Sequence, residues 1–163
     1  MPNAQNPRAD AEVVHPRRPI VSEIPKLRKI IASKGLTGLA SNTKWNELID
    51  SMRETPQPDW CPSFRFQCID SDFISDWDCE WYHHLPFPFI SVLWFELSFI
   101  EEIHQGRLIE PCKIDHSSNI ARLLAAIGFD FEVGADVIRI FGYAPRARDG
   151  FTPKRPAEQT DAG

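Results

Sequence analysis

The first half of the chain contains two runs whose apolar residues recur at helical spacing. One run begins after Ser22, a typical N-cap, and stops at Gly35; its apolar positions are Ile24, Leu27, Ile30 and Ile31. The other follows the polar group 41–43 and stops before Pro56; its apolar positions are Trp45, Leu48, Ile49 and Met52. Because apolar residues at this spacing line one side of a helix, the two runs predict two amphipathic helices.

The middle of the chain shows strand patterns separated by an irregular segment. Residues 64–68 alternate apolar and polar positions, which predicts a half-buried strand with an exit turn at 70–72. Residues 73–86 have no clear period and are predicted to be a loop. From 87 to 99 nearly every residue except Glu96 is apolar, which favours a central strand covered on both faces.

The second half ends in the best-defined unit. Residues 99–103 are predicted to turn helical before Gly106, with a short extended piece at 108–109. Asp115 or Ser117 then caps a third helix, whose apolar face and closing glycine are Ile120, Leu123, Leu124, Ile127 and Gly128. Strands at 129–133 and 137–143 around a turn at 134–136 predict a β-hairpin.

This order of elements predicts an α+β fold, with an antiparallel or mixed sheet and helices packed mainly on one face. Residues 1–20 and 145–163 combine several prolines with scattered charge, so we expect disordered tails around a single domain at 21–144. The 42% hydrophobic and 25% charged content is ordinary for a globular protein. No apolar run reaches the roughly 18 residues that cross a bilayer, so we expect a cytoplasmic protein without membrane contact.

Charge and aromatic residues are concentrated in the same part of the chain. Between Glu54 and Glu102 there are ten carboxylates and one cation, Arg65. The same segment holds four of the five tryptophans, at 60, 77, 81 and 94. The net charge of -5 therefore arises from this segment alone, and a local negative field favours cationic partners.

Cysteine and histidine residues in 61–84 raise the question of a metal site. Their spacings differ from the paired ligands, two to four residues apart, that structural zinc sites use; the residues concerned are Cys61, Cys68, Cys79, His83 and His84. Without a secretion signal we expect the four cysteines, including Cys112, to be reduced thiols. We predict no metal ligand and no cofactor, and whether Cys61, Cys68, Cys79 and His83 bind metal stays open.

Other chemistry finds little support in the residue patterns. The acids of 70–80 lack the central glycine and terminal glutamate offsets of a calcium loop. Cys112, Asp115 and His116 are close in sequence but match no nucleophile motif, and phosphate-binding loops are missing. The basic groups near both ends are short, and the acidic segment repels phosphate, so nucleic acid is not an expected partner. We predict no catalytic residue.

The acidic aromatic segment is the predicted binding surface. Carboxylates steer a basic partner and aromatic rings anchor it by packing and cation–π contact. The predicted partner-binding residues are Asp70, Asp72, Asp76, Trp77, Asp78, Glu80, Trp81 and Tyr82. Trp45 and Trp94 lie in regular apolar patterns, so we predict that they are buried.

Three motifs carry a resemblance to a known family. They are N-T-K-W at 42–45, L-W-x-E at 93–96 and I-R-I-x-G-Y at 138–143. In this order they resemble a family of small uncharacterised bacterial proteins, over roughly 24–144. In architecture the chain is also similar to bacterial toxin-immunity proteins, and that resemblance implies a small acidic binder.

The leading hypothesis is a non-enzymatic bacterial protein-binding module, such as an immunity protein that covers a basic toxin through its acidic aromatic surface. One alternative is a metal-dependent enzyme that uses Cys, His and Asp residues of 61–84. A second alternative is an acidic mimic of nucleic acid. The sequence leaves the partner's identity and the oligomeric state open.

Overall fold

The computed structural model describes residues 23–54 and 60–155, which contain three α-helices and eight strands. The helices are α1 (Glu23–Ser33), α2 (Asn42–Glu54) and α3 (Ser117–Ile127). The strands are β1 (Thr37–Gly38), β2 (Phe64–Cys68), β3 (Val92–Ser98), β4 (Ile100–Ile103), β5 (Cys112–Asp115), β6 (Phe131–Val133), β7 (Val137–Phe141) and β8 (Tyr143–Ala144).

The main sheet has the strand order β2-β3-β7-β6, and every pairing is antiparallel. Each of its four strands carries one charged residue between two apolar ones. Since neighbouring residues of a strand face opposite sides, this pattern separates an apolar face from a charged face. Two smaller antiparallel pairs, β1 with β8 and β4 with β5, complete the strand pairing.

The apolar face of the sheet packs against α2 and α3. Its buried side chains include Phe64, Phe95, Leu97, Ile138 and Ile140, and they form one cluster with Trp45, Leu48, Ile120 and Leu124 of the two helices. The α+β prediction, with helices packed on one face of an antiparallel sheet, is thereby confirmed. The predicted burial of Trp45 and Trp94 is confirmed as well, since they are 2% and 1% exposed.

The opposite face carries a row of alternating charges that we call the charge ladder. Strand register places Arg65, Glu96, Arg139 and Glu132 side by side across the four strands. Glu96 is fully buried and Arg139 is 1% exposed. The Arg139 Nη2 lies 2.7 Å from Glu96 Oε1, and the Arg65 Nε lies 2.6 Å from Glu96 Oε2. Aligned ion pairs of this kind join neighbouring strands.

Residues 145–155 cover the charge ladder instead of forming the predicted tail. Arg139 Nη1 donates to the carbonyl oxygens of Ala147 and Asp149, at 2.8 and 2.9 Å. Its guanidinium lies 5.3 Å from the Phe151 ring centroid, and Gly134 forms a β-bridge with Pro153. The domain therefore extends at least to 155. The predicted N-terminal tail, 1–20, lies outside the described residues, and so does the last part of the predicted C-terminal tail, 156–163.

Several predicted elements differ from the structure. Residues 100–103 form β4 and not a helical turn, because they pair with β5, a strand that the sequence patterns did not reveal. The predicted extended piece at 108–109 belongs to the connecting turn between these strands. The central strand begins at Val92 and not at Phe87, since Phe89–Ser91 is a 3₁₀ turn. No helix within 23–54 and 60–155 has the length and apolar character needed to span a membrane.

The remaining helix, α1, packs at one end of the sheet. Its buried Leu27 contacts a small cluster with Ile69 and Tyr143. The Tyr143 hydroxyl donates to the Ile90 carbonyl oxygen, and Lys34 Nζ donates to the Ile69 carbonyl oxygen at 2.7 Å. These contacts fix the end of β2, where the chain enters residues 70–77.

Candidate functional site

The acidic segment after β2 turns back and runs beside the edge of that strand. The Ser75 N–H donates to the Phe66 carbonyl oxygen at 3.0 Å, and the Phe66 N–H donates to Ser75 Oγ at 2.9 Å. Phe64 and Asp78 exchange two backbone hydrogen bonds, at 2.7 and 2.9 Å. The loop is therefore attached to the edge of β2 at Ser75 and at Asp78.

Before and between these attachments, residues 70–77 expose large apolar side chains among carboxylates. Phe73 is 72% exposed, Ile74 is 43% exposed and Trp77 is 41% exposed. The acids interleaved with them, Asp70, Asp72 and Asp76, are all exposed. Among the ion pairs of the described residues, none involves one of these three acids. We call residues 70–77 the acidic loop surface.

Trp77 connects the acidic loop surface to the charge ladder. The Arg65 guanidinium lies over its indole at 4.7 Å from the ring centroid, and the Arg65 Nε binds the buried Glu96. One face of the ring is thus packed against the sheet while the rest of it remains in solvent. A ring held in this way loses little conformational entropy when a partner covers it.

Two of the predicted acids serve the local backbone. Slight burial acts to raise the pKa of Glu80, but the N–H groups of residues 82, 83 and 84 donate to its carboxylate and lower the pKa overall. Asp78 Oδ1 accepts the Glu80 N–H, and Asp78 Oδ2 lies 2.6 Å from His84 Nδ1. Asp78 and Glu80 therefore shape the turn at 78–84, apart from the acidic loop surface.

The two predicted anchors that follow the turn have opposite environments. Trp81 is only 3% exposed, and its Nε1 donates to the Pro62 carbonyl oxygen at 3.0 Å. Its ring packs on Phe64 and Phe95 in the core, so the prediction that Trp81 anchors a partner at the surface is wrong. Tyr82 is 54% exposed, with the Arg53 guanidinium 4.5 Å from its ring centroid.

Phe73 and Ile74 are the surface residues that the sequence patterns did not single out. The sequence signal for these two residues was their position as an apolar pair between Asp72 and Asp76, in a segment that has neither a helix nor a strand period. Such a pair is equally consistent with a buried anchor of the loop, as Trp81 shows, so the pattern alone could not assign it.

The proposed metal ligands do not converge. Within the described residues, no three His, Cys, Asp or Glu side chains form a group that could hold an ion. Burial raises the pKa of Cys61, with a further contribution from Cys79, and burial also raises that of Cys68. A raised pKa disfavours the thiolate that binds metals.

A small cavity lies between α2 and α3. It has a volume of about 230 Å³ and includes Met52, Trp60, His116 and Leu123 in its lining. The His116 ring stacks on Trp60 at 4.2 Å, and its Nε2 lies 2.7 Å from Glu101 Oε2. The nearby Ser51 hydroxyl donates to the Glu47 carbonyl oxygen. The cavity is therefore mainly apolar, and the Ser51 hydroxyl and the His116 Nε2 in its lining are engaged with neighbours.

Comparisons with known proteins bear on the family and not on the chemistry. No curated protein and no solved structure matches this chain. One family model, described as a family of unknown function (DUF6678), matches residues 27–147, which is most of the chain. The expected membership of an uncharacterised family is confirmed, while the three motifs as family markers and the likeness to immunity proteins stay predictions. The chain belongs to the family of unknown function DUF6678.

Proposed function

We propose that this protein is a non-enzymatic binding module that holds a basic protein partner on its acidic loop surface. The acids Asp70, Asp72 and Asp76 attract the partner. Phe73, Ile74 and Trp77 supply the apolar contact. Trp81, which is buried, is not part of this surface, and the exposed Tyr82 contacts Arg53 of α2.

The observation that carries the proposal is the exposure of Phe73 and Ile74 on a loop held against β2. Phe73 is 72% exposed although the loop is fixed by hydrogen bonds at Phe66 and Phe64. Exposed apolar residues that lie together and are rimmed by polar ones are typical of interaction sites. Aromatic side chains at the centre of an interface supply much of the binding energy.

The charges around Phe73 favour a cationic partner. Asp70, Asp72 and Asp76 are exposed and do not take part in the ion pairs of the described residues. Carboxylates at the rim of an interface act mainly on the association rate, because they attract an opposite charge over about 10 Å at moderate salt.

In its narrower form, the proposal identifies the partner as a toxin with a basic surface. The protein would then be a cytoplasmic immunity protein of a bacterium, and the acidic loop surface would cover the toxin. The architectural resemblance to immunity proteins supports this form of the proposal.

The test compares charge reversal on the loop with the same reversal elsewhere. Full-length wild-type protein, the variant D72K/D76K and the control E47K/D50K are each immobilised and exposed to an extract of the host. Glu47 and Asp50 are exposed on α2, so the control has the same change in charge. The association rate of the retained partner is then measured between about 50 and 500 mM salt.

We expect D72K/D76K to slow association by about tenfold or more at low salt and to remove the salt dependence, because steering is lost. Phe73→Ala should mainly raise the dissociation rate. A control that slows association as much as the loop variant would contradict the proposal. Stoichiometric metal in the purified protein would instead favour the enzyme alternative, and a retained nucleic-acid enzyme would favour the mimic.

A further inference from the structure

The two strands β4 and β5 form a hairpin arm, residues 100–115, whose outer part is exposed on both faces. Residues 102–110 and 112–115 are all exposed. Four large apolar side chains are among them: Ile103 at 40%, Leu108 at 100%, Ile109 at 59% and Ile114 at 38%. A two-stranded hairpin alone is only marginally stable in water, so an exposed apolar arm of this kind indicates a contact with another surface.

The backbone of β5 offers hydrogen-bonding groups along its outer edge. The His116 N–H donates to the Phe99 carbonyl oxygen at 2.9 Å, and the register places Ile114 opposite Glu101. Because hydrogen-bonded pairs alternate in an antiparallel ladder, Ile114 bonds toward β4 while Lys113 and Asp115 direct their N–H and C=O groups outward. Among the described residues, no strand pairs with this edge.

The charges along the β5 edge are complementary to themselves. When two copies of β5 pair antiparallel with Ile114 at the centre, Lys113 of each copy lies opposite Asp115 of the other. Opposite charges that face each other across a strand pair stabilise it. The same operation at the β4 edge, centred on Glu101, places Glu101 of each copy opposite Glu101 of the other and Ile100 opposite Glu102. Two like charges then meet at the centre, which is unfavourable. The charge pattern therefore selects the β5 edge and a second copy of this chain.

The backbone geometry agrees with this register. Lys113 and Asp115 carry the outward-facing groups, so each Lys113–Asp115 pair exchanges two backbone hydrogen bonds across the two-fold axis. Ile114 meets Ile114 at the central non-hydrogen-bonded position, where side chains approach most closely. Strand alternation places Ile103, Cys112 and Glu101 on the same face as Ile114, so this face of the joined sheet is apolar apart from Glu101, whose carboxylate is engaged by His116.

We propose that this protein forms a two-fold symmetric homodimer in which β5 of one copy pairs antiparallel with β5 of the other, giving the strand order β4-β5-β5-β4. The interface uses the same surface on both copies, as two-fold symmetry requires. The proposal is independent of the function assigned to the acidic loop surface, which lies on other residues.

The first test measures the oligomeric state of the full-length protein by sedimentation equilibrium over a range of concentrations. Wild type is expected to dimerise. Lys113→Glu places two like-charged pairs across the axis, and Lys113→Pro removes an outward N–H without touching the backbone hydrogen bonds to β4. Both variants also remove the exposed ion pair between Lys113 and Glu102, at 3.7 Å, within the arm. Each variant is expected to weaken the dimer by about tenfold or more. Leu108→Glu, at the exposed tip of the arm, is the control and should leave the dimer intact.

A second test fixes the register. In a C79S/C112S background, Ile114→Cys is expected to form a disulfide-linked dimer under mild oxidation, because the two Cα atoms lie about 4.5 Å apart at a central non-hydrogen-bonded pair. Leu108→Cys in the same background should cross-link far more slowly. This test does not depend on how well Lys113→Pro folds, which circular dichroism checks separately.

Three outcomes would overturn the proposal. Wild type could remain monomeric up to about 1 mM, which would place the dissociation constant of any dimer above about 1 mM. A dimer could form that neither Lys113 variant weakens and in which Ile114→Cys cross-links no faster than Leu108→Cys. Finally, a dimer could disappear when 1–22 and 156–163 are removed, which would assign the contact to the chain ends.

Discussion

Glu96 and Arg139 are two charged side chains that have almost no solvent contact. Their carboxylate and guanidinium are joined by two hydrogen bonds, from Nε at 2.9 Å and Nη2 at 2.7 Å. The guanidinium also lies 4.0 Å from the Trp94 ring centroid. Burying an ion pair costs desolvation energy, so the pair depends on each of its members remaining in place.

Replacing Arg139 alone should therefore be severe. Arg139→Met leaves the buried Glu96 carboxylate with Arg65 as its remaining cation, and we expect the free energy of unfolding to fall by about 3–5 kcal/mol. Urea denaturation measures the change. The control Arg122→Met, at an exposed position of α3, should stay within about 0.5 kcal/mol of wild type.

The double variant E96L/R139M distinguishes a loss of charge pairing from a loss of packing. Removing both charges leaves no uncompensated carboxylate, so the double variant should be more stable than Arg139→Met alone. If Arg139→Met were as stable as Arg122→Met, or less harmful than the double variant, the role of the buried pair would be contradicted.

Gly142 is required because another strand approaches its backbone closely. A Cβ added at this position would lie 2.1 Å from the Val92 carbonyl oxygen, while the Gly142 N–H donates to the Leu93 carbonyl oxygen at 2.9 Å. Backbone atoms cannot move aside as a flexible side chain can. The glycine of the I-R-I-x-G-Y motif thus has a steric explanation.

We expect Gly142→Ala to lower the free energy of unfolding by about 1–3 kcal/mol or more, since overpacking usually costs this much. Gly38→Ala is the matched control, since nothing lies within 4 Å of a Cβ at Gly38. Its effect should be small. Equal thermal midpoints for the two variants would refute the steric argument.

At the scale of elements, the segment after β8 is held to β6 by charge. Arg148 Nε donates to Glu132 Oε2 at 3.0 Å, and Arg146 Nη1 donates to Glu132 Oε1 at 3.0 Å. Arg146 also pairs with Asp130 at 2.7 Å. Arg148, by hydrogen bonding and charge, and then Arg146 lower the pKa of Glu132 below its ordinary value.

This lowered pKa predicts how stability depends on pH. The stabilisation from ionised Glu132 is fully present above its unfolded-state pKa of about 4.3, and it is lost as pH falls through the lower folded-state pKa. Wild type should therefore exceed Glu132→Gln in stability at pH 7, and the difference should shrink at acid pH. Urea midpoints measured from pH 7 to about pH 3 check this.

The control for this prediction is Glu47→Gln, an exposed residue of α2 that forms none of the ion pairs of the described residues. Its difference from wild type should change less with pH than that of Glu132→Gln. A Glu132→Gln difference that stays constant or grows toward acid pH would contradict the assigned interaction.

At the scale of the whole molecule, local patterns predicted the elements that local interactions define. Helix α3 ends where expected, with Gly128 at a φ of 93°, and the hairpin of β6 and β7 follows it. Helical and strand periods identified these elements because one face of each is buried. The same patterns did not predict the β4–β5 hairpin, because its strands are mostly exposed and show no contrast between a buried and an exposed face.

The candidate site was predictable only in part for a similar reason. Charge density located the acidic segment, and Asp70, Asp72, Asp76 and Trp77 are indeed exposed. Trp81 lies inside the core instead, although its sequence environment closely resembles that of Trp77. Which of two neighbouring indoles faces solvent depends on how the loop folds back along β2, a contact that nearby residues do not encode.

By itself, the sequence determined the α+β class, the helix ends and the position of the acidic aromatic segment, because these depend on local spacing, capping and composition. Tertiary structure alone decided that Arg65, Glu96, Arg139 and Glu132 align in one row, that 145–155 covers them, and that Phe73 rather than Trp81 faces solvent. Strand register and long-range packing join residues far apart in the chain, so no local pattern could specify those contacts.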